Sequence, residues 1–340
     1  MTRRPTMSDV ARAAGVHQAT ASRALNPSTS DLISTATVRR VQAAAEELGY
    51  TPNTAARSLR TNQSYTVGVL LPDLTNPLFP PIVRGIEEVL TEQGYTALLA
   101  NTDNDEKREA AQFAALLGRQ VDGFILATGL RDHPLVERAQ AEGRQLVLVN
   151  RGTDVPRFPV VSGDDASGIG AAVDHLVALG HRKLAHLAGP HRMSTGVIRL
   201  RGFRSAVGRH GLAAADTTVA ECSGYTVAAG EAAMRAVLDS APEVTAVLAG
   251  NDLIAVGALH VLREHGLSCP EDVSLIGFND MRFVDELSPP LTTVRVPHAE
   301  LGREAARLLL RRLDEPELVT SVVLPTELVV RESTAPPRVG

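Results

Sequence analysis

Cysteine is nearly absent from this 340-residue chain: Cys222 and Cys269 are the only two, and neither has a second Cys or a His at metal-ligand spacing. A disulfide framework and a zinc cluster are thereby excluded, and two buried or incidental thiols are expected. Long apolar runs are lacking too. Asp9, Arg12 and Gln18 interrupt the start, and no uninterrupted apolar stretch reaches membrane-spanning length, so an unexported, cytoplasmic protein without membrane contact is expected. The motifs of covalent chemistry are also missing. There is no Gly-x-Ser-x-Gly elbow, no phosphate loop with Gly-Lys-Ser/Thr and no His-Glu-x-x-His, and Gly168-x-Gly170 lacks the third glycine of a dinucleotide loop. With its ten histidines scattered, the chain offers no catalytic residue, no metal site and no cofactor to assign.

What is present is a strong contrast between the head and the rest. The net charge is −5, yet up to residue 62 eight basic residues (Arg3, Arg4, Arg12, Arg23, Arg39, Arg40, Arg57, Arg60) face four acidic ones, and the acidic surplus lies wholly beyond. A basic head on an acidic body is the layout of a DNA grip attached to a sensor, because arginine neutralisation of phosphates supplies most sequence-independent affinity. Thr6 and Asp9 form a capping-box start, after which Val10, Ala11 and Ala14 give a short apolar stripe stopped by Gly15. A second short helix is expected over residues 18–25. Its Ala21, Ala24 and Leu25 fall on one side, and Gln18, Ser22 and Arg23 on the other. Asn26-Pro27 ends it. Ser34 then caps a third helix running to about Leu48, with Val38, Val41, Ala45 and Leu48 as its buried face and Gly49 as its stop. Two short helices across a glycine turn, closed by a third, make a helix-turn-helix whose second helix enters the major groove; a plain three-helix bundle is the alternative. Beyond Pro52, residues 53–60 could form about two helical turns, too few to persist alone, and so act as a plain linker or as an element that folds when a partner supplies contacts.

From Thr66 onward short apolar runs alternate with helix-length amphipathic stretches, the pattern of an α/β body. Strands are expected over 66–71, 95–100, 121–127 and 145–149, with helices over 81–93, 106–117 and 134–141. A second series begins at 160–162 and continues with strands over 183–187, 218–220, 244–249 and 273–277 and helices over 166–179, 199–210 and 253–265. Nearly continuous apolar strands between helices belong to parallel sheets covered on both faces, so two successive series imply two similar lobes. Ligands of such sheets collect beyond the carboxyl ends of the strands, here at residues 73–79, Asn150-Arg151, Asn251-Asp252 and Asn279-Asp280. Any one of these polar residues could equally cap the following helix.

The sequence resembles the family of lactose- and galactose-type repressors over nearly its whole length. The head carries Thr6-Met-Ser-Asp-Val-Ala11, Ala14-Gly-Val16, Ala19-Thr-Ala-Ser-Arg-Ala-Leu-Asn26, Leu48-Gly-Tyr-Thr-Pro-Asn53 and Ala56-Arg-Ser-Leu59. In the body stand His175-Leu-Val-Ala-Leu-Gly-His181, Arg199-Leu-Arg-Gly-Phe203, Ile276-Gly-Phe-Asn-Asp280, Pro290-Leu-Thr-Thr-Val294 and Leu328-Val-Val-Arg-Glu-Ser-Thr334. The resemblance implies an N-terminal all-α helix-turn-helix DNA-binding domain (1–51), a hinge helix (52–62) and a two-lobed, periplasmic-binding-protein-like sensor with parallel sheets (63–334). Lobe 1 would hold about 63–162 and 296–324, and lobe 2 about 163–295 and 325–334. It also implies a homodimer on a pseudo-palindromic, double-stranded DNA operator and a small-molecule effector, a sugar being favoured over a purine because carboxamides and a guanidinium suit paired hydroxyls.

Transferred residue by residue, base contacts fall on Gln18, Ala19 and Arg23, and phosphate contacts on Thr6, Thr20, Ser22, Asn26, Thr37 and Tyr50. Leu59 is implied as a minor-groove wedge, beside Asn53 and Ala56. The effector positions fall on Asn76, Phe79, Asn150, Arg199, Asn251 and Asn279. Departures are instructive. His17, also at the DNA-reading end, replaces the usual capping Ser and implies a less firmly braced reading helix. Ala21 replaces the common Val, Val38 a common Arg, and Val296 a frequent Gln. The loop over 27–33 is about two residues longer than usual, and Asn150 and Asn279 are carboxamides where some sugar-responsive relatives have Asp. The chain ends without an apolar heptad helix, from which a dimer rather than a tetramer is expected. A regulator activated by a non-sugar corepressor, a transporter's solute-binding protein and an enzyme are the competing readings. The basic head opposes the second, and the missing motifs oppose the third.

Overall fold

In the computed structural model the described residues are 5–25, 29–50 and 63–338, and the chain divides into a small unit, Met1–Ser64, and a large one, Tyr65–Gly340. Asn26, Asn53, Ala56 and Leu59 lie outside the described residues, and with them the expected hinge helix.

Among the described residues the small unit holds three α-helices, α1 (Met7–Ala13), α2 (Gln18–Ala24) and α3 (Thr35–Glu47), with a 3-10 turn at Ser30–Leu32. Thr6 and Asp9 close a reciprocal capping box on α1, and Ser34 accepts from the Thr37 N–H at the start of α3. Gly15 and Gly49 stop α1 and α3 at φ +61° and +62°, a left-handed conformation that costs glycine least. The core is Val10, Val41 and six alanines, including Ala21 and Ala24 of α2. Leu48, expected in that core, is exposed instead, because α3 has ended and its C-cap residue faces outward.

The large unit holds two six-stranded sheets. The first contains β1 (Thr66–Leu71), β2 (Thr96–Asn101), β3 (Gly123–Leu126), β4 (Leu146–Val149), β5 (Val160–Gly163) and β11 (Val322–Leu324), in the order β11-β5-β4-β3-β1-β2, all parallel. The second contains β6 (Leu184–Ala188), β7 (Thr217–Glu221), β8 (Ala246–Ala249), β9 (Ser274–Asn279), β10 (Thr292–Arg295) and β12 (Glu327–Val329), in the order β12-β10-β9-β8-β6-β7, with β12 antiparallel to its neighbour. Burial explains the continuous apolar runs: β3, β4, β8 and β9 are inaccessible along their whole lengths.

Residues 160–162, which the strand pattern assigns to the second series and the resemblance to lobe 1, pair with β4 in the first sheet. The chain thus changes sheets between β5 and α7 (Asp165–Ala178), between β10 and α11 (His298–Asp314), and between β11 and β12. These crossings run side by side. Thr326 donates its hydroxyl to the Asp164 carbonyl at 3.0 Å, and the Asp164 N–H donates to the Leu324 carbonyl at 2.8 Å.

The remaining helices are α4 (Phe79–Glu92), α5 (Glu106–Gly118), α6 (Pro134–Ala141), α8 (Ser194–Arg209), α9 (Val227–Ser240) and α10 (Asp252–Glu264). Of these, α4 admits Pro80 and Pro81 within its first turn, where their missing N–H groups cost nothing. Helix α8 begins five residues before the expected Arg199, because its opening Ser-Thr-Gly reads locally as a turn. On the first sheet α11 crosses α4 at very close range: a β-carbon added at Gly85 would lie 2.0 Å from the Ala299 carbonyl oxygen, and one at Gly302 equally close to that of Ile82.

Candidate functional site

The residues expected to contact bases in the small unit all lie on α2. At about 100° per residue, Gln18, Ala19, Ser22 and Arg23 occupy one arc of the helix, while Ala21 and Ala24 fill the opposite one. The burial follows this division: Gln18, Ala19 and Arg23 are exposed, Thr20 and Ser22 are half-buried, and the two alanines are in the core. His17, expected to leave α2 poorly braced, is its N-cap. The ring Nδ1 accepts from the Ala19 N–H at 3.2 Å, the task a serine oxygen would perform. Thr6 is exposed, and both its hydroxyl and its backbone N–H donate to Asp9, at 2.6 and 2.9 Å. Thr37 accepts from the Ser34 hydroxyl at 2.9 Å, and Tyr50 packs half-buried on the edge of the alanine core.

In the large unit a cleft opens at the carboxyl ends of both sheets, where the strand order reverses between β1 and β3 and between β6 and β8. Its lining joins Asn76 and Leu78 after β1, Asn150 and Arg151 after β4, Thr195 and Arg199 of α8, Tyr225, Asn251 after β8, and Asn279 and Met281 at the end of β9. Five of the six expected effector residues therefore converge. The exception is Phe79, which is 1 % exposed in the lobe core and does not line the cleft; Leu78 does so instead. As first residue of α4, Phe79 turns into the packing beneath.

Several of these polar groups are held by a partner in the wall. Asn76 accepts from the Leu78 N–H at 3.1 Å. Asn251 caps α10 by accepting from the Ile254 N–H at 2.9 Å, so it is cap and cleft wall together. Asn150 and Asn279 sit at φ +67° and +113°, turning their carboxamides into the cleft from strand ends. Arg199, 3 % exposed, donates Nε to Asp165 at 2.8 Å, Nη1 to the Gly250 carbonyl at 2.6 Å and Nη2 to Asn279 at 3.4 Å, with its guanidinium 3.8 Å from the Phe278 ring. Burial pushes the Asp165 carboxyl up, against the pull of Arg199. Behind the wall, Asp252 accepts from the Met281 N–H at 2.7 Å and the Thr293 hydroxyl at 2.6 Å, and burial raises its carboxyl to about 7.

Thr195, Tyr225 and Met281 were not among the expected contacts, whereas Leu78 and Arg151 fall in the strand-end stretches expected to collect ligand, though not among the effector positions implied by the resemblance. Arg151 follows Asn150 at a strand end and carried a readable signal; Tyr225 lies in an irregular stretch after β7 and carried none. The Tyr225 hydroxyl donates to Thr195 at 2.9 Å, and its ring lies 5.8 Å from the Arg151 guanidinium and 5.9 Å from that of Arg199. The lobes are clasped at the cleft mouth. Arg131 donates its N–H to the Arg192 carbonyl at 3.0 Å and Nη1 to that of His191 at 3.2 Å, and the Gly152 N–H donates to the Ser194 hydroxyl at 2.9 Å. The free space between the walls is about 10 Å³, room for a single water.

Among the described residues, no group of three or more His, Cys, Asp or Glu side chains could hold a metal ion, and no helix is long and apolar enough to cross a membrane. Cys222 and Cys269 are unpaired, and burial pushes both thiols up to about 12, away from nucleophilic use.

Residues 6–53 match the model of bacterial regulatory proteins of the lacI family, and residues 173–334 that of a periplasmic binding protein-like domain. The HTH-type transcriptional regulator CelR of Thermobifida fusca is 39 % identical over 339 residues, covering 97 % of this chain and 98 % of its own. A solved CelR–cellobiose complex superposes with a TM-score of 0.74 at 36 % identity, over 97 % of this chain and all of the other. The lac repressor dimer bound to operator and the anti-inducer ONPF gives 0.85 at 27 % identity, over 98 % and 100 %.

Proposed function

This chain belongs to the lacI family of bacterial regulatory proteins, DNA-binding transcriptional regulators, and from that premise we propose that it is a repressor whose operator affinity is set by a sugar or sugar derivative in the cleft. The observation that carries the reading is the convergence of Asn76, Asn150, Arg199, Asn251 and Asn279 from both sheets onto one cleft, an arrangement of donors and acceptors matched to vicinal hydroxyls. The family relative solved with cellobiose supports a sugar. The exposed arc of α2 supports DNA reading, with Gln18 suited to adenine and Arg23 to guanine, while Ala19 makes only an apolar contact. The protein acts as a cytoplasmic homodimer on a pseudo-palindromic operator, and its cleft binds without turnover.

A space of about 10 Å³ is far below the roughly 300–1,000 Å³ of ordinary ligand pockets, so admission requires the lobes to part at their three crossings and the Arg131 and Gly152 clasps to yield. A ligand shifts DNA affinity only by preferring one lobe arrangement, and release of the operator is the outcome proposed. The test is a thermal-shift screen of neutral and derivatised sugars, followed by titration of each hit into a complex with the chain's own promoter fragment. Expected are a raised melting temperature and loss of the complex. A hit that tightened the complex would make the protein a corepressor-dependent regulator, and failure to prefer the promoter over random duplex would remove the regulator reading altogether.

A further inference from the structure

We propose that the effector carries an anionic group, a phosphate ester or a carboxylate, and that Arg151 is the residue that receives it. This rests on the reading of the cleft as a sugar-derivative site and names the chemical class of what enters it.

The inference comes from counting charges. The cleft lining contains two guanidinium groups, Arg151 and Arg199, and no Asp or Glu. Arg199 is already neutralised, its Nε on Asp165 and its Nη1 on the Gly250 carbonyl. Arg151 has no such partner. It is 5 % exposed, and its Nε and Nη1 have no hydrogen-bond acceptor. Among the described residues no carboxylate comes within ion-pair distance of it. Its one favourable neighbour is the Tyr225 ring, 5.8 Å from the guanidinium carbon.

A buried cation left without a counter-ion or acceptors is costly, and such a group in a native cleft needs an explanation. A ligand anion supplies one, because a carboxylate or phosphate presents two oxygens to the guanidinium fork in a single plane. The surroundings have the same sign. Asn150, Asn251 and Asn279 are neutral, Arg192 adds charge nearby, and the N-terminal turns of α8 and α10 reach the cleft at Thr195 and Asn251 with their positive ends foremost. Burial, then the charges of Arg199 and Arg192, outweigh Tyr225 and hold the Arg151 guanidinium down to about 10, so it remains charged at neutral pH. A neutral sugar would leave this buried charge unbalanced.

The experiment uses the full chain, at matched ionic strength, with three kinds of probe: inorganic phosphate against chloride; glucose and cellobiose; and glucose 6-phosphate and glucuronate. Melting temperature and calorimetric affinity are read for the wild type, Arg151→Met and Arg151→Lys. Expected is at least tenfold tighter binding of an anionic probe than of its neutral parent, lost in Arg151→Met and largely kept in Arg151→Lys. The ester and acid arms tell which anion fits. Arg151→Met should also melt no lower than the wild type without ligand, because it removes an uncompensated buried charge; a marked fall would reveal an internal partner and overturn the proposal. Neutral sugars binding as well as anionic ones, with no dependence on Arg151, would overturn the anionic class while leaving the sugar site standing. Binding of inorganic phosphate through Arg151, with every sugar inert, would keep the anion and discard the sugar. Silence from all probes would discard both.

Discussion

His17 departs from the family pattern and still caps α2, because the helix needs only an acceptor near the Ala19 N–H and an imidazole nitrogen serves. A core built largely of alanine gives the head little stability to spare, so this cap weighs more than it would in a large domain. His17→Ala is expected to cost the head about 1 kcal/mol, within the roughly 0.5–2 kcal/mol known for caps, and His17→Ser to restore it. Urea denaturation of the two variants followed by operator titration decides it; equal midpoints for Ala and wild type would show that the ring does not brace α2. Arg199 is a different case. Part of its value is internal, since removing one partner of a buried ion pair costs about 3–5 kcal/mol, so its truncation would mix ligand loss with unfolding.

Of the helices, α11 was not anticipated from its sequence, yet it decides how lobe 1 is built. It lies along α4 and against β3, β4 and β5, although some 130 residues of the other lobe intervene between β5 and its first turn. Gly85 and Gly302 let the two backbones meet, and a methyl at either would strike a carbonyl oxygen. Since α4 follows directly on the loop that carries Asn76 and Leu78, pushing the helices apart displaces one wall of the cleft. Gly302→Ala is expected to destabilise the large unit by about 1–3 kcal/mol and to weaken effector binding as well. Calorimetric melting of the sensor with and without ligand measures both; an unchanged melting temperature would mean that the crossing can relax at no cost.

Two buried histidines should make an acid-labile contribution to stability, opposed over the same range by Asp252, whose raised carboxyl binds a proton more readily in the folded chain than in the unfolded one. His186, in the centre of β6, donates Nδ1–H to the Leu248 carbonyl at 2.8 Å, and His298 opens α11; the Nε2 atom of each has no partner. Burial lowers both to about 4 from an ordinary value of 6.5. Between those values the unfolded chain binds more protons than the folded one, so the contribution to stability is complete above pH 6.5 and is lost as pH falls through 4. The loss is on the order of 2 kcal/mol per histidine by pH 5. On going from pH 7.5 to pH 5 the urea midpoints of His186→Asn and His298→Gln should each shift toward greater stability relative to the shift of the wild type. If both variants keep the full acid sensitivity, other groups are responsible.

The chain's local chemistry already carried much of this protein. Capping residues, glycine stops and alternating apolar runs located most strands and helices of both units within a few residues, because those signals act over one turn or one strand. The strand-end asparagines were visible for the same reason. Tertiary structure alone decided the remainder. It decided between the two readings of residues 160–162 by joining them to the first sheet, since pairing depends on which neighbour a strand meets, and it recruited three-residue edge strands too short to show a period. It buried Phe79 and brought Tyr225 between two arginines. It also left Arg151 without a counter-ion, a property that no residue type or spacing encodes, because it exists only when every neighbour has been counted.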